Sequence, residues 1–136
     1  MKKFNFVCLF LCTLIFLSAC NKDNNKIVKS KVLVFQKADS INNLGEPQFV
    51  TDKNRIQNVS NILKSLKWEK RTPDTTKLVN YFFWFEIENN DGTKEKILDY
   101  DIRINSTGQS ELSYEKGTTL LDKKTTNELI NSFQNK

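Results

Sequence analysis

The segment Leu78 to Glu88 constrains the fold most, because its apolar residues alternate with a period of two. This alternation is typical of a β-strand with one face in a core. The centre of the segment, Tyr81-Phe82-Phe83-Trp84-Phe85, is aromatic on both faces. The strand therefore needs a packed core on one side and carries apolar side chains on the other. Its predicted core residues are Val79, Tyr81, Phe83, Phe85 and Ile87.

The dipeptide Asp91-Gly92 predicts a hairpin directly after this strand. A two-residue loop pairs Phe85 with Leu98 and Phe83 with Tyr100. This register keeps the apolar residues of the second strand on the core face. They are Leu98, Tyr100, Ile102 and Ile104.

The next turn fits a three-residue loop, Ser106-Thr107-Gly108, with the glycine in the left-handed conformation. This loop pairs Ile102 with Leu112 and Tyr100 with Tyr114. A two-residue loop would turn Leu112 and Tyr114 to the wrong face. The sequence therefore predicts a three-stranded antiparallel meander.

The remaining pattern predicts one further strand and two helices. Ile27 to Lys37 alternates as a strand, and Asp39 to Pro47 has the composition of a loop. Thr51 to Leu66 has apolar residues at helical spacing, with Thr51 or Asp52 as N-cap, and Asp122 caps a C-terminal helix. The predicted fold class is α+β: a mostly antiparallel sheet in the order strand, helix, three-stranded meander, helix, with both helices on one face.

The sequence contains no histidine, and its three cysteines, Cys8, Cys12 and Cys20, all lie in the first twenty residues. The rest of the chain therefore lacks the residues for Ser-His-Asp triads, Cys-His nucleophiles, histidine metal ligands and disulfides. We expect no cofactor, no metal site and no catalytic residue of these kinds.

The first nineteen residues have the pattern of an export signal. Lys2 and Lys3 precede an apolar run of 14 residues, from Phe6 to Ala19. A helix that spans a bilayer needs about 20 such residues. A cleaved signal peptide is therefore favoured over a transmembrane anchor.

The end of this run, Leu17-Ser18-Ala19-Cys20, resembles the lipobox of bacterial lipoproteins. The resemblance implies diacylglycerol attached to the Cys20 sulfur, cleavage between Ala19 and Cys20, and acylation of the new amino terminus. Cys8 and Cys12 follow Val7 and Leu11, which are not the small residues that a lipobox requires.

This resemblance divides the chain into a signal peptide at 1–19, a lipidated terminus and tether at 20–26, and one α+β domain at 27–136. It places the domain on the outer face of the cell membrane, held by covalent lipid, or on the outer membrane of a cell that has two. Lysines near the tether can attract an anionic surface or simply solvate the chain.

The domain itself also resembles small, uncharacterised lipoproteins of Gram-positive bacteria. The features that carry this resemblance are the helix end Leu66-Lys67-Trp68, Pro73-Asp74, the aromatic strand with its meander, and the Leu120-Leu121 helix. They cover roughly Phe49 to Phe133, and they imply no activity.

Two pairs of carboxylates are the candidates for acid–base chemistry. Glu86 and Glu88, and likewise Asp99 and Asp101, stand two apart on strands, so each pair shares a face with α-carbons about 6.5 Å apart. This spacing overlaps that of inverting glycosidases. A solvated strand face explains the same pattern, because acid–base work also needs the two carboxyl groups to differ in solvation.

Phe82 and Trp84 lie opposite the core face, and with Ile97 they are the candidate patch for a partner or ligand. The alternative is that the Asp39 to Pro47 loop or the flank of the first strand covers them.

These observations favour a lipid-anchored, non-enzymatic binding module whose partner is an envelope protein or polymer. A cell-envelope hydrolase that uses the strand carboxylates is the alternative. A nucleic-acid partner is not expected although the net charge is +5, because the signal exports the domain and the meander is acidic. The acidic residues are Glu86, Glu88, Asp91, Glu95, Asp99 and Asp101.

Overall fold

The computed structural model describes residues 26–27, 29–40 and 43–134, and within these ranges it contains seven strands, two helices and, before the first strand, helical residues at 26, 27 and 29. All strand pairs are antiparallel, and the main sheet order is β2-β1-β4-β5-β6-β7, with β3 also paired to β1. The predicted α+β class is confirmed. The elements are β1 Val32–Ser40, β2 Asn43–Leu44, β3 Gln48–Val50, α1 Lys53–Ser65, β4 Tyr81–Glu88, β5 Lys94–Ile104, β6 Ser110–Tyr114, β7 Gly117–Leu121 and α2 Lys123–Phe133.

The core lies between one face of the sheet and the two helices. Phe83 of β4 is fully buried, stacks on Tyr100 at 4.6 Å between ring centroids, and lies 5.0 Å from Phe133 of α2. Full burial of such a side chain contributes roughly 1.5–3 kcal/mol. The predicted stripe of α1 faces this core, with Ile56, Val59, Ile62 and Leu63 buried.

Of the two predicted N-caps of α1, the structure has Asp52 and not Thr51, and the predicted cap Asp122 of α2 is confirmed. The Asp52 carboxylate accepts a hydrogen bond from the Arg55 backbone at 2.9 Å, and that of Asp122 accepts one from Thr125 at 2.7 Å. The two helices then contact each other through Arg55 Nε, which donates to the Ser132 carbonyl at 2.9 Å. Neither helix in the described ranges combines enough length with enough apolar character to cross a bilayer.

The first hairpin differs from the predicted one. Its loop is three residues long, because Asn89 pairs with Thr93, and Gly92 takes the left-handed φ of 81°. Phe85 therefore pairs with Ile97 instead of Leu98. A β-bulge between Phe83 and Phe85 absorbs the one-residue shift.

Beyond the bulge the predicted register returns. Phe83 pairs with Tyr100, as the sequence predicts. The second hairpin has the predicted three-residue loop, with Gly108 at φ 85° and Ile102 opposite Leu112. The meander is nevertheless longer than predicted, since β7 adds a fourth strand where the sequence analysis placed only the approach to a helix.

The N-terminal strand is shifted along the chain. β1 begins at Val32 and ends at Ser40, so it continues into the predicted loop, where it pairs with β2. Ile27 is still buried in the core, but it is helical, and its carbonyl accepts a hydrogen bond from the Ser30 N–H at 3.1 Å. Alternation in sequence therefore predicted the burial of Ile27 correctly and its strand conformation wrongly.

Residues 66–80, the crossing segment, lead from α1 around the edge of β7 to β4. Glu69 and Thr118 exchange backbone hydrogen bonds of 2.9 Å, and the Thr118 hydroxyl donates to the Arg71 carbonyl at 2.6 Å. At the far end the Asn80 side chain accepts from the Ile104 N–H at 2.6 Å. The segment thus pairs with the edge strand β7, which would otherwise expose backbone groups.

Gly117 permits this close approach. A Cβ added there would overlap the Glu69 carbonyl, and its φ of 154° disfavours other residues, whereas a Cβ at Gly92 would meet no atom within 4 Å. We expect Gly117→Ala to lower the free energy of unfolding by roughly 3 kcal/mol and Gly92→Ala by about 1 kcal/mol. Chemical denaturation measures both, and equal losses would contradict this account of the edge.

Candidate functional site

The sheet face opposite the helices, here called the back face, carries both apolar and charged side chains. Phe82 and Trp84 of β4 lie on it and are half-buried. Trp84 pairs with Val34 of β1, which is fully buried, and Val34 pairs with the exposed Phe49 of β3. These four residues form an apolar strip across three strands.

Ile97 does not join this strip, which corrects the predicted patch. It is 5% exposed and belongs to the core, where it pairs with Phe85. The reason is the bulge, because before it the odd-numbered residues of β5 face the core and after it the even-numbered ones do. Phe49 takes the place predicted for Ile97. Its position could not be predicted, because it depends on the pairing of the short strand β3 with β1.

An ion pair covers Trp84. The Lys96 ammonium lies 4.2 Å from the centroid of the Trp84 ring and 2.7 Å from Asp99 Oδ2. Trp84 Nε1 donates to Glu86 Oε1 at 3.3 Å. The indole is therefore held between a hydrogen bond at its edge and a lysine ammonium over its face.

Asp99 and Asp101 share the back face but have different surroundings. The side chain of Asp99 is 59% exposed and is paired with Lys96, whereas that of Asp101 is 36% exposed and lies opposite Phe82. Burial raises the pKa of Asp101 above the ordinary 3.8, the Arg103 guanidinium partly opposes this, and the charge of Asp99 adds to it. Asp101 is thus the less solvated carboxylate of the pair, with 36% of its side chain exposed against 59% for Asp99.

Arg103 fixes the position of Asp101. Its guanidinium donates to Asp101 Oδ2 at 3.4 Å and to the Ser113 hydroxyl at 3.0 Å, and the residue is only 7% exposed. Its Nε is buried and has no hydrogen-bond partner in the described part of the chain. A buried, incompletely bonded cation beside a partly buried carboxylate is costly for a fold and is often found at functional sites.

Glu111 extends this cluster of charges across β6. It is 5% exposed, pairs with Arg103 in the β5–β6 register, and accepts from Arg71 Nη2 at 3.2 Å and from the Asp74 N–H at 2.8 Å. The crossing segment supplies both of these donors. A cleft of about 390 Å³ opens beside them and is bounded by Arg71, Arg103 and Glu111 among others.

Asp74 also borders this cleft, but it is a poor candidate for a base. Hydrogen bonds from Thr76, together with the Lys77 ammonium 3.1 Å away, hold the pKa of Asp74 at about 2. A carboxylate with so low a pKa takes up protons poorly at neutral pH. The pKa of Asp101 is therefore raised, whereas that of Asp74 is lowered.

The other predicted pair, Glu86 and Glu88, is not joined to Asp101. Glu86 lies opposite Lys96, and its Oε2 is buried with no partner among the described residues, whereas Glu88 is exposed at the end of β4 opposite Lys94. Glu86 stands four residues from Phe82, the partner of Asp101, or about 13 Å along the strand. These two carboxylates are too far from Asp101 to act with it on one bond.

Sequence reasoning missed Arg71, Arg103 and Glu111. Arg103 could have been predicted, because it follows Asp101 by two residues and so shares its face. Glu111 could have been predicted too, because the predicted second hairpin places it opposite Arg103. Arg71 could not have been predicted, because its position depends on the path of the crossing segment. Ala19 and Cys20, the predicted cleavage and lipidation residues, lie outside the described residues.

Comparison with known proteins gives one line of information. No protein-family model and no curated protein sequence matches the chain. A solved structure that does match is the crystal structure of a thioesterase-like protein from Clostridium sporogenes ATCC 15579, with 18% sequence identity and a TM-score of 0.54. The match covers 79% of this chain and 96% of that one.

This match corrects the functional prediction. The domain shares its fold with a protein described as thioesterase-like, so the predictions of a non-enzymatic binding module and of no enzymatic activity are wrong on this comparison. Those predictions depended on the missing histidine and thiol, which exclude particular catalytic groups but leave the carboxylates in place.

Proposed function

We propose that the domain is a hydrolase of acyl esters or thioesters in which Asp101 is the general base. The observation that carries this proposal is the difference in solvation between Asp99 and Asp101. Two carboxylates in unlike surroundings are a recurring arrangement in enzymes that move protons near neutral pH. Burial raises the pKa of a carboxyl group, and this is the direction of the shift at Asp101.

The reaction needs a base, positive charge and a bound substrate. Asp101 removes a proton from a water molecule as the water oxygen attacks the carbonyl carbon of the substrate. The tetrahedral intermediate carries a negative oxygen, which Lys96 and Arg103 are placed to stabilise. The bond to the alcohol or thiol then breaks, and the proton on Asp101 passes to the leaving group.

The apolar strip supports an acyl group as the substrate class. Phe82 lies directly opposite Asp101, and Trp84 and Phe49 continue the apolar surface away from it. An acyl chain laid along the strip would bring its carbonyl carbon to the carboxylate end. The thioesterase-like protein with the same fold supports this substrate class independently.

Replacing the base is the first test. We expect Asp101→Asn to lower kcat/KM for a p-nitrophenyl acyl ester roughly a hundredfold to ten-thousandfold. For the unchanged protein, kcat/KM should fall as the pH drops through a midpoint above 3.8, because the base works only when ionised and burial raises its pKa. Full activity of Asp101→Asn, with the fold intact by circular dichroism, would overturn the assignment.

Asp99→Asn is the matched control. It makes the same chemical change two residues away, on the exposed carboxylate, and should keep kcat within about tenfold at neutral pH. It also removes the like charge that raises the pKa of Asp101, so the acidic limb of the pH profile should move to lower pH.

The length of the acyl chain tests the apolar strip. We expect Trp84→Ala to raise KM about tenfold for a decanoyl ester, which corresponds to the contacts of roughly two methylene groups. An acetyl ester does not reach along the strip, and its KM should change little. An equal rise for both esters would assign Trp84 to the reacting centre instead.

We also propose that the domain works on the outer face of the membrane, anchored through lipid on Cys20. The lipobox Leu17-Ser18-Ala19-Cys20 and the apolar run before it support this proposal. Two or more acyl chains give stable anchoring, whereas one chain binds only marginally. The tether from Asn21 to Lys26 spans at most about 20 Å when extended, which keeps the domain near the bilayer.

Mass spectrometry of the protein from membranes tests the anchor. The expected amino-terminal peptide begins at Cys20 and carries the mass of diacylglycerol. Cys20→Ser should remain uncleaved and unlipidated, whereas Cys12→Ser, the same change within the apolar run, should be processed normally. An unmodified peptide that still joins Ala19 to Cys20 in exporting cells would refute the proposal.

A further inference from the structure

A second cavity, of about 390 Å³, lies between α1 and the residues that precede β1, namely Ile27 and Lys29 to Lys31. Its volume is within the range of small-molecule sites, roughly 300–1,000 Å³. We call it the lysine pocket. Its lining includes Ile27, Lys29, Lys31, Lys53, Ile56 and Ser60.

The lining of the lysine pocket combines aliphatic surface with two buried hydroxyl groups, those of Ser30 and Ser60. The Ser30 hydroxyl lies 2.8 Å from both the Val32 and the Glu86 carbonyl oxygens, which accept its hydrogen bond. Ile27 and Ile56 supply buried aliphatic surface, and Ser60 is 2% exposed. The Ser60 Oγ is buried and has no hydrogen-bond partner in the described part of the chain. A serine within a helix usually donates to the carbonyl one turn earlier, as Ser132 of α2 does to Glu128 at 2.9 Å.

The Ser60 hydroxyl is therefore an unsatisfied hydrogen-bond donor at the wall of a mainly apolar cavity. An unmet hydrogen bond at a buried group costs about 1–3 kcal/mol. A bound molecule with an ester oxygen at the depth of Ser60 would remove that cost.

The rim of the lysine pocket is basic. Lys29, Lys31 and Lys53 are all exposed there, and none of the residues that line the pocket carries a carboxylate. The nearest acid in sequence, Asp52, is engaged as the N-cap of α1. A ligand with an apolar chain and an anionic group would therefore satisfy both the interior and the rim.

We propose that the lysine pocket binds one anionic phospholipid of the bilayer. An acyl chain lies against Ile27 and Ile56, an ester oxygen accepts from Ser60, and the phosphate lies among the lysines. The position of the pocket favours this occupant, since Lys29 follows Cys20 by nine residues, or at most about 30 Å of extended chain. This inference rests on the proposed anchor but not on the proposed hydrolysis.

Photocrosslinking in vesicles tests it. The purified, lipidated full-length mature protein is placed in phosphatidylcholine vesicles with a trace of phosphatidylglycerol that carries a diazirine in its acyl chain. A parallel sample contains diazirine phosphatidylcholine, and a third contains a free diazirine fatty acid. We expect adducts on peptides covering 53–60, formed several-fold more from phosphatidylglycerol than from the other two probes.

The variants separate the two parts of the pocket. Ser60→Leu fills the cavity and should abolish the adduct, whereas Ser65→Leu, the same change at an exposed position of α1, should not. Lys29→Ala and Lys53→Ala should each reduce labelling by phosphatidylglycerol about fivefold while the fold is kept. Equal labelling by the charged and zwitterionic probes, labelling by the free fatty acid alone, or labelling unchanged in Ser60→Leu each overturns the proposal.

The two proposals fail separately in these experiments. Ester hydrolysis is measured without vesicles. A variant that loses hydrolysis, such as Asp101→Asn, should still form the adduct on α1. Conversely, a mass spectrum that shows no lipid on Cys20 removes the argument from the tether while leaving the photochemical result to stand for the pocket itself.

Discussion

The β-bulge opposite Trp84 determines which residues of β5 face the core and which face the back of the sheet. Two residues of β5, Leu98 and Asp99, lie between the partners of Phe85 and Phe83, and Leu98 adopts a φ of 52°. A left-handed conformation costs a residue with a side chain roughly 1–2 kcal/mol. Without this insertion, Asp99 and Asp101 would face the core, and Tyr100 and Ile102 would face solvent. The strain at Leu98 thus keeps an aromatic core on one face and a carboxylate pair on the other.

The two hairpins explain how much of the fold could be predicted. Both turns have the same form, in which an asparagine is followed by two polar residues and a left-handed glycine: Asn89 to Gly92 and Asn105 to Gly108. The second was predicted correctly because the apolar pattern excluded a two-residue loop. The first was wrong because a two-residue loop also gave a consistent apolar pattern, and alternation cannot reveal a bulge that restores it.

The candidate site was predictable in its residue types but not in its electrostatics. Alternation alone places Asp99 and Asp101 on one face, together with Phe82 and Trp84. The difference in solvation between the two carboxylates depends on their surroundings. For Asp101 these are Arg103 and Phe82, and Phe82 comes to lie beside Asp101 only when β4 and β5 pair. Strand β7 and the crossing segment depend on contacts between distant parts of the chain, such as that of Glu69 with Thr118, for which local sequence carries no signal.

The partial burial that raises the pKa of Asp101 also has a consequence for stability. Because the pKa of Asp101 is raised in the folded protein, its protonated form stabilises the fold below the ordinary 3.8, and that contribution is lost as the pH rises through the raised value. At neutral pH the ionised carboxylate is therefore a net cost to folding, reduced by Arg103. The stacked rings of Phe83 and Tyr100, on the opposite face of the same strands, and the Phe133 ring of α2 that packs against Phe83 supply the apolar burial that offsets it. Core and site are thus the two faces of β4 and β5, and the bulge that separates them lets one pair of strands carry both.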